Sequence, residues 1–540
     1  MAWFFKVWLG ANETIPKKTD AMKQFTRKHA HNIAHTLSGF DRIRFGGSIS
    51  LLTNGAGLRT FFEDDPHLYY RPREFFEKIT KDIVASGKRM AKTTGRPLKY
   101  LNSSSLSKQR EALAIAGKDG ITEGLICILT CVEPCYTYAF QRQSKGSIEW
   151  KPRERKCLHQ YFYFQDPEFG LINFRLQTWC PFRVTVNING REWLARQMDR
   201  CGIRYRKADN CFLSISDPAA AQQLALQQTG RNFSSFLDRL CRQCHPVWHS
   251  GLRFRDEPLD YYWTMQETEW ATDVVFRSQG ALDEIYEDLI RFALLRFDST
   301  SVMRFLGRTA PLPLNSDTEV HSNCRRRPEG ARVRHWYGAN SVKAYNKQHR
   351  VLRVETTINN PKAFTTVRPR LDDPDSPKKK RPVPKGVAGA RDRAKVSQQV
   401  NNRYLDALAG ADVPGETVGD LLLPLSQRIT WDGRPIRGLR FFDNTDSQLL
   451  AAIARGEFAI HGFRNRDIRE LLAGQDLSPE DLKKLTSRIT RLLRMLRAHR
   501  VIARIKGTHR YQLTDTGNRL VSALAVTQKA SLTQLLAVAA

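Results

Sequence analysis

Carboxylates stand at several places in this chain where phosphodiester chemistry would want them. Asp41 lies in "FDRIRFGG", just ahead of a Gly-Gly turn. Asp166 and Glu168 lie in "FQDPEFG", and Glu269 and Asp273 are four residues apart in "QETEWATD". Cleavage of a phosphodiester uses two or three such groups converging on Mg²⁺, which stabilises the attacking and leaving oxygens. Against that stands a plain alternative: Asp-Pro turns and acids on a helix face are common without any metal. Asp41 and Asp166 are carried forward as candidate catalytic and Mg²⁺-binding residues.

A second group has metal-ligand types. "CRQCHPVWH" contains the Cys-x-x-Cys-His string of haem attachment and could equally be half a zinc site. A tetrahedral zinc needs four ligands. Cys241, Cys244, His245 and His249 supply four only if the helix breaks at Pro246, so helix-end residues are the favoured reading. Cys127, Cys131 and Cys135, four apart on a strand-like run, do not converge and read as buried small hydrophobes.

Elements must hold these residues, and the 540-residue chain has the apolar material for real cores, with 41% hydrophobic and 26% charged residues. Its balance of 86 Lys plus Arg against 55 Asp plus Glu gives a net charge of +31. Such an excess attracts polyanions. DNA is the expected partner and RNA the alternative. No run reaches the 18 apolar residues of a spanning helix, so no membrane partner is expected. The ten cysteines read as reduced thiols. A cytoplasmic protein is expected, nucleoid-associated if the cell is bacterial.

Residues 1–120 read as a basic region of helices and short strands, and 121–360 as an α+β core with a helical insert over 216–306. The β-branched and aromatic runs "GLICILTCVEPCYTYAF" and "GLINFRLQTWCPFRVTVNING" point to a mainly antiparallel sheet. In the second, Phe174, Arg175, Trp179, Phe182, Arg183 and, just beyond, Trp193 interleave rings and cations. That pattern suits base stacking, but a two-sided core is the preferred reading. Residues 361–400, rich in Pro, Lys, Arg and Asp and containing "PKKKRPV", read as a disordered basic linker. A connecting region over 401–440, a compact domain over 441–527 and a tail over 528–540 follow.

In that last domain two helices precede a third, "SPEDLKKLTSRITRLLRMLRAHR", with Ser478 as N-cap and Pro479 at the first helical position. At 100° per residue, Leu485, Ile489, Leu492, Leu493 and Leu496 form one stripe. Arg488, Arg491, Arg494 and Arg497 sweep the opposite side. Two short strands around "KGT" and a closing helix complete the pattern. Helix, helix, longer helix, strand, turn, strand, helix resembles the winged-helix domain. "LLRMLRAHRVIARIKGTHRYQLTDTG" in particular looks like the reading helix and wing of MarR-like regulators. From Lys483 to Arg510 there are ten basic residues and no acid. The resemblance implies that Arg488, Arg491, Arg494 and Arg497 face a nucleic acid, with Lys506, His509 and Arg510 at the wing.

A further stretch, "YGANSVKAYNKQHRVLRVETTINNPKAF", is similar to part of the plasmid rolling-circle replication initiators, where a Tyr-x-Lys turn precedes an Arg-x-Glu strand. That resemblance makes Glu355 a metal candidate, with Tyr345 and Lys347 in the turn. It leaves the family's nucleophilic tyrosine unplaced, although Tyr404 follows at a plausible distance. The plain alternative is a hairpin whose Arg353 and Glu355 share a face. An early strand Asp with later acids is also the pattern of an RNase-H-like nuclease or transposase. The expected fold is α+β multidomain: a mixed, mainly antiparallel sheet core with helical segments, plus a C-terminal winged helix-turn-helix. The expected function is nucleic-acid binding of mobile-element type, with Mg²⁺-dependent nuclease activity in replication initiation or transposition. Its rivals are a non-enzymatic transcription regulator and an RNA-binding component of a ribonucleoprotein.

Overall fold

The computed structural model describes residues 23–142, 148–308, 320–370, 372–373, 375–411, 418–458, 462–473, 478–505 and 507–529. The chain is mixed α/β and divides into two compact units that are not sequential blocks. One comprises Ala34–Leu282 and Leu306–Gln398; the other comprises Met1–Ile33, Asp283–Phe305 and Gln399–Ala540.

The first unit is built on one eleven-stranded sheet. In chain order its strands are β1 (Ile33–Ile49), β2 (Leu98–Leu101), β3 (Gly124–Arg142), β4 (Ile148–Asp166), β5 (Gly170–Gln177) and β6 (Val184–Asn189). A hairpin of β7 (Tyr205–Ala208) and β8 (Cys211–Ile215) and the two-residue strands β9 (Arg253–Phe254) and β10 (Glu257–Pro258) stand apart from it. The sheet resumes with β11 (Tyr261–Phe276), β12 (Val320–Arg327), β13 (Gly330–Tyr337), β14 (Asn340–Lys347) and β15 (Val351–Ile358). The spatial order is β12-β13-β14-β15-β11-β1-β6-β5-β4-β3-β2. β2 is parallel to β3, while β3–β4, β4–β5, β5–β6, β6–β1, β11–β15 and β12 through β15 pair antiparallel.

Strict alternation gives this sheet two different faces. On β4, β5 and β6 the even residues Phe162, Phe164, Ile172, Phe174, Val186 and Ile188 enter the main core. Helices Pro72–Thr94 and Phe233–Cys244 cover that core through Phe76, Ile79, Ile83, Phe236 and Leu240. The odd residues of β5 and β6, such as Asn173, Arg175, Asn187 and Asn189, stay half-exposed on the other face. There, the β2–β4 end is covered by helix Lys108–Lys118, whose Ala112 packs with Cys127, Cys131 and Tyr163. Phe174, Phe182 and Trp193 belong to the main core, and Arg175 pairs with Glu133 instead.

Two stretches differ from their sequence-based expectation. The insert over 216–306 is not helical throughout, because "YYWTMQETEWATDVVF" is the long central strand β11. Its Trp, Thr and Val content suits a pleated, doubly covered position better than a helix. Residues 361–400 are not a bare linker. They form the hairpin β16 (Thr365–Arg368)–β17 (Lys379–Pro382), in which "PKKKRPV" supplies β17, and the start of helix Ala390–Leu408. The segment is held by Met265 N donating to Lys385 O at 3.0 Å and by buried Arg393 donating to Met265 O at 2.7 Å.

In the second unit, helices Asn444–Ile453, Asn465–Leu472 and Pro479–Ala498 are followed by β20 (Ile502–Arg504), β21 (Tyr511–Leu513) and helix Asp515–Lys529; the short hairpin β18 (Ile429–Trp431)–β19 (Arg434–Ile436) precedes them. Ser478 caps the third long helix, its side chain accepting from Asp481 N. Ile489, Leu493 and Leu496 enter a core with Leu449, Ile468, Val501 and Leu520, while Leu485 and Leu492 pack at its margin. No helix among the described residues is long and apolar enough to cross a membrane.

Candidate functional site

Three adjacent central strands, β15, β11 and β1, each contribute one carboxylate to a single point. Glu355, Glu269 and Asp41 are all buried, and one ligand oxygen from each lies within 4.8 Å of the others. Register explains the two glutamates: in β11–β15, Glu269 faces Thr357 and Ala271 faces Glu355, so Glu269, Asp273, Arg353 and Glu355 share one side. On β1, Phe40 and Ile43 both enter the core, while Asp41 and Arg42 both reach the acidic cluster. That two-residue step is the spacing a β-bulge produces, a device that re-aims side chains.

Each acid is held by several partners. Arg353, wholly buried, donates from Nη1 to Asp41 Oδ1 at 2.9 Å and from Nε and Nη2 to the two oxygens of Asp273 at 2.5 and 2.8 Å. Asn210, in the β7–β8 turn, donates Nδ2 to both Asp41 oxygens at 2.8 and 2.9 Å. Tyr345 donates its hydroxyl to Glu355 Oε2 at 2.9 Å. The Lys343 ammonium lies 2.6 Å from Glu355 Oε1 and 3.6 Å from Glu269 Oε1, and Arg42 reaches Glu269 at 3.3 Å. A second buried guanidinium, Arg191, stands 3.2 Å from Asp273.

These cations are unevenly shared, and the protonation of the acids shows it. Asp273 faces two guanidiniums; burial opposes its ionisation, but Arg353 and Arg191 outweigh it and hold its carboxyl below the usual range. Burial also opposes ionisation of Glu355, and Lys343 with Arg353 outweighs that too. Glu269 is raised to about 7, first by burial and then by the negative charge of Glu355. Asp41 is raised by burial against the pull of Arg353. Burial thus makes Glu269 and Asp41 hold their protons more tightly than free carboxyls do, despite the cations beside them. Three hard oxygen donors in one place suit a divalent ion such as Mg²⁺ or Mn²⁺ better than zinc.

A polar cleft of about 690 Å³ opens onto Asp41 and Glu269, with Asn173, Asn187, Asn189 and Gln165 on its walls. Two of the three acids thus line an open polar space, while Glu355 is wholly buried.

Of the residues singled out by sequence, Asp41 and Glu355 are brought together, and Glu269 joins them from a strand rather than a helix face. Asp166 stays away from them: its Oδ1 accepts from the backbone N–H groups of Glu168 and Phe169, both at 2.8 Å, which fixes the β4–β5 turn. Glu168 pairs with Arg231. Among the described residues, Asp41, Glu269 and Glu355 form the one group of three or more acids, histidines and cysteines close enough for a shared ion. Cys241, Cys244, His245 and His249 therefore do not assemble. Cys241 and Cys244 face the main core from their helix, and His245 is buried with its imidazole driven to about 3 by burial. Tyr404 belongs to the other unit and is wholly buried there, its ring 5.2 Å from Phe297 and 5.3 Å from Phe305, a packed rather than an exposed position.

On helix Pro479–Ala498 the arginines divide in two. Arg488 and Arg491 are exposed, and Arg488 donates to Thr445 at 2.7 Å. Arg494 and Arg497 are half-buried, their guanidiniums 5.7 and 5.2 Å from the ring centre of Trp431 on β18. His509 lies 3.4 Å from Arg504, and Arg510 donates to Gly462 O at 3.1 Å. Lys506 lies outside the described residues.

Sequence reasoning passed over Lys343, Arg191 and Asn210. The first had a usable signal, since Lys343 is two residues before Tyr345 and so shares its face of a strand. Comparison of the chain with family models, with curated proteins and with solved structures finds no match.

Proposed function

We propose that this protein is a metal-dependent nuclease acting on DNA, of the kind that serves replication initiation or transposition. The observation that carries the proposal is the convergence of Asp41, Glu269 and Glu355 from three neighbouring strands, with Asp41 and Glu269 lining a polar cleft. A bound Mg²⁺ or Mn²⁺ would polarise the phosphoryl oxygens and lower the pKa of an attacking water. The chain's own part is positional. Arg353 and Asn210 fix Asp41, Tyr345 fixes Glu355, and Lys343 and Arg42 present cations beside the acids, where a substrate phosphate needs them. The test is a nicking assay on supercoiled and single-stranded DNA with Mg²⁺ or Mn²⁺. Cleavage that needs the metal supports the reading; absence of cleavage with every divalent ion tried favours a non-enzymatic DNA- or RNA-binding protein.

Glu269 makes the metal dependence a pH dependence. A carboxyl near 7 must lose its proton to ligate, so Mn²⁺ affinity is expected to rise about tenfold per pH unit below 7 and to level off above it. Without metal the sign for stability is the reverse. The folded pKa exceeds the ordinary 4.5, so the folded state holds the proton more tightly, and stability falls as pH rises from about 4.5 to about 7. Thermal melts across that window, with and without Mn²⁺, should diverge as pH rises. Parallel curves would count against ligation by Glu269.

Residues 441–527, within the second unit, are proposed to form a winged helix that binds duplex DNA, with helix Pro479–Ala498 as the reading helix and β20–β21 as the wing. Its supports are the order of elements and the exposed basic stretch of Lys483, Lys484, Arg488 and Arg491. Arg494 and Arg497, set against Trp431, are assigned to packing. Arg488→Gln with Arg491→Gln is accordingly expected to weaken duplex binding and to flatten its salt slope by about 2, near 0.9 per lost phosphate contact. Arg494→Gln with Arg497→Gln should act mainly on the melting temperature. Fluorescence anisotropy at several salt concentrations separates the two.

A further inference from the structure

The sheet face that carries the acids continues, strand by strand, into a set of arginines that the cleavage reading does not use. Paired residues on neighbouring antiparallel strands point to the same side. One transverse row reads Asn323, Arg334, Lys343, Glu355, Ala271 across β12, β13, β14, β15 and β11. The row beside it reads His321, Trp336, Ser341, Thr357, Glu269. On the other side Arg325 faces Arg332. At about 4.8 Å per strand, the Arg334 backbone is roughly 10 Å from that of Glu355.

This wing is strongly and openly basic. From Val320 to Lys347 the chain has Arg325, Arg326, Arg327, Arg332, Arg334, Lys343 and Lys347 against one acid, Glu329. Among the described residues none of the five arginines has a carboxylate partner. Arg334 donates to Ser341 and lies over Trp336 at 4.7 Å, and Arg327 lies over Tyr345 at 5.2 Å. Like charges gathered on one edge of a sheet repel, and a polyanion relieves that repulsion. Planar groups lie in the same patch: His321, which is exposed, stacks on Trp336 with centroids 4.6 Å apart and planes 14° apart. A ring pair whose outer face is open can take an unpaired base; bases in a duplex are already stacked and covered.

We propose that the β12–β14 face is a track for single-stranded nucleic acid that leads a backbone phosphate towards Asp41, Glu269 and Glu355. Arg325, Arg332 and Arg334 take the phosphates on the approach, the His321–Trp336 stack takes a base, and Lys343 takes the phosphate nearest the acids. The track rests on the nuclease reading for its destination, but its binding of a strand does not require metal or cleavage.

The experiment uses the full chain in EDTA with a labelled oligothymidylate of about 20 nucleotides carrying 4-thiothymidine. Ultraviolet cross-links are expected within residues 320–347, and an equal length of duplex should fail to displace them. Arg325→Gln, Arg332→Gln and Arg334→Gln together should weaken single-strand binding at least tenfold and reduce its salt slope by about 2, near 0.7 per contact. Mn²⁺ affinity measured by calorimetry should stay within about twofold, because none of the three arginines pairs with the acids. Unchanged affinity and slope, or cross-links confined to other residues, would overturn the track. Displacement by duplex would overturn its single-strand character. Loss of strand binding with Mn²⁺ binding also absent in the parent chain would uphold the track and sink the nuclease reading instead. Trp336→Ala, assayed beside the arginine variant, isolates the stacking contribution, and the melting temperature of each shows that it folds.

Discussion

Glu355→Gln is expected to cut metal-dependent cleavage by about a thousandfold or more, a loss of about 4 kcal/mol in transition-state stabilisation. Glutamine keeps the volume at a wholly buried position and still offers an oxygen to the Tyr345 hydroxyl. What it removes is the charge that a divalent ion would share with Asp41 and Glu269. The variant carries an independent readout. The negative charge of Glu355 is the second cause, after burial, of the raised pKa of Glu269. With that charge gone, the pH-dependent change in stability should move downward from about 7. A variant that loses cleavage but leaves the pH profile in place would show that Glu355 acts without touching Glu269.

The largest effect on stability is expected at Arg353. Arg353→Met leaves Asp41 and Asp273 buried without the guanidinium that spans them, which costs about 3–5 kcal/mol. The defect should be pH-dependent. Asp273 is held below its ordinary range, so its contribution is present above the unfolded pKa and is lost as pH falls through the folded one. Removing Arg353 raises that folded pKa, and the variant can then neutralise Asp273 by protonation. The gap between parent and variant should therefore be wide at pH 8 and narrower at pH 5 in urea titrations. Arg353→Lys should recover little, because one ammonium cannot meet Asp41, both Asp273 oxygens and the Asn210 carbonyl at once. A gap independent of pH would mean that Arg353 contributes by packing alone.

How much of this was legible beforehand depended on whether the decisive contacts were local. Ser478, Pro479 and the leucine stripe mark their helix from neighbours alone, and the helix is where they put it. Asp41 ahead of Gly46-Gly47 and Glu355 after Arg353 were visible as candidates, but the two glycines make no turn: both pair with β6 inside the continuous strand β1. Glu269 and Asp273 were misplaced because four residues is one helical turn and also two strand repeats; Glu267, at period two, was the signal that favoured a strand. Asp166 drew attention by its neighbourhood, but an Asp before Pro-Glu is equally the start of a turn, and its oxygen is spent on backbone N–H groups. The partners of the acids could not be read locally at all: Asp41 and Arg353 are 312 residues apart. Residues 361–400 looked unstructured because they are anchored on Met265, 128 residues before Arg393.

The same limit applies to the arginine helix. Its periodicity placed Arg488, Arg491, Arg494 and Arg497 on the polar side, correctly as geometry. It could not show that Trp431, some sixty residues earlier, covers the last two. Half of an apparently continuous basic face is thereby assigned to packing, and the binding claim narrows to the exposed N-terminal half.

The central claim is that Asp41, Glu269 and Glu355 together hold a divalent ion. Anomalous scattering from crystals of the full chain grown with Mn²⁺ at pH 8 tests it most directly. A peak is expected about 2.1 Å from an oxygen of each of the three acids, with Lys343 withdrawn from Glu355. Well-ordered acids with no peak between them, and Lys343 still paired to Glu355 at saturating Mn²⁺, would contradict it.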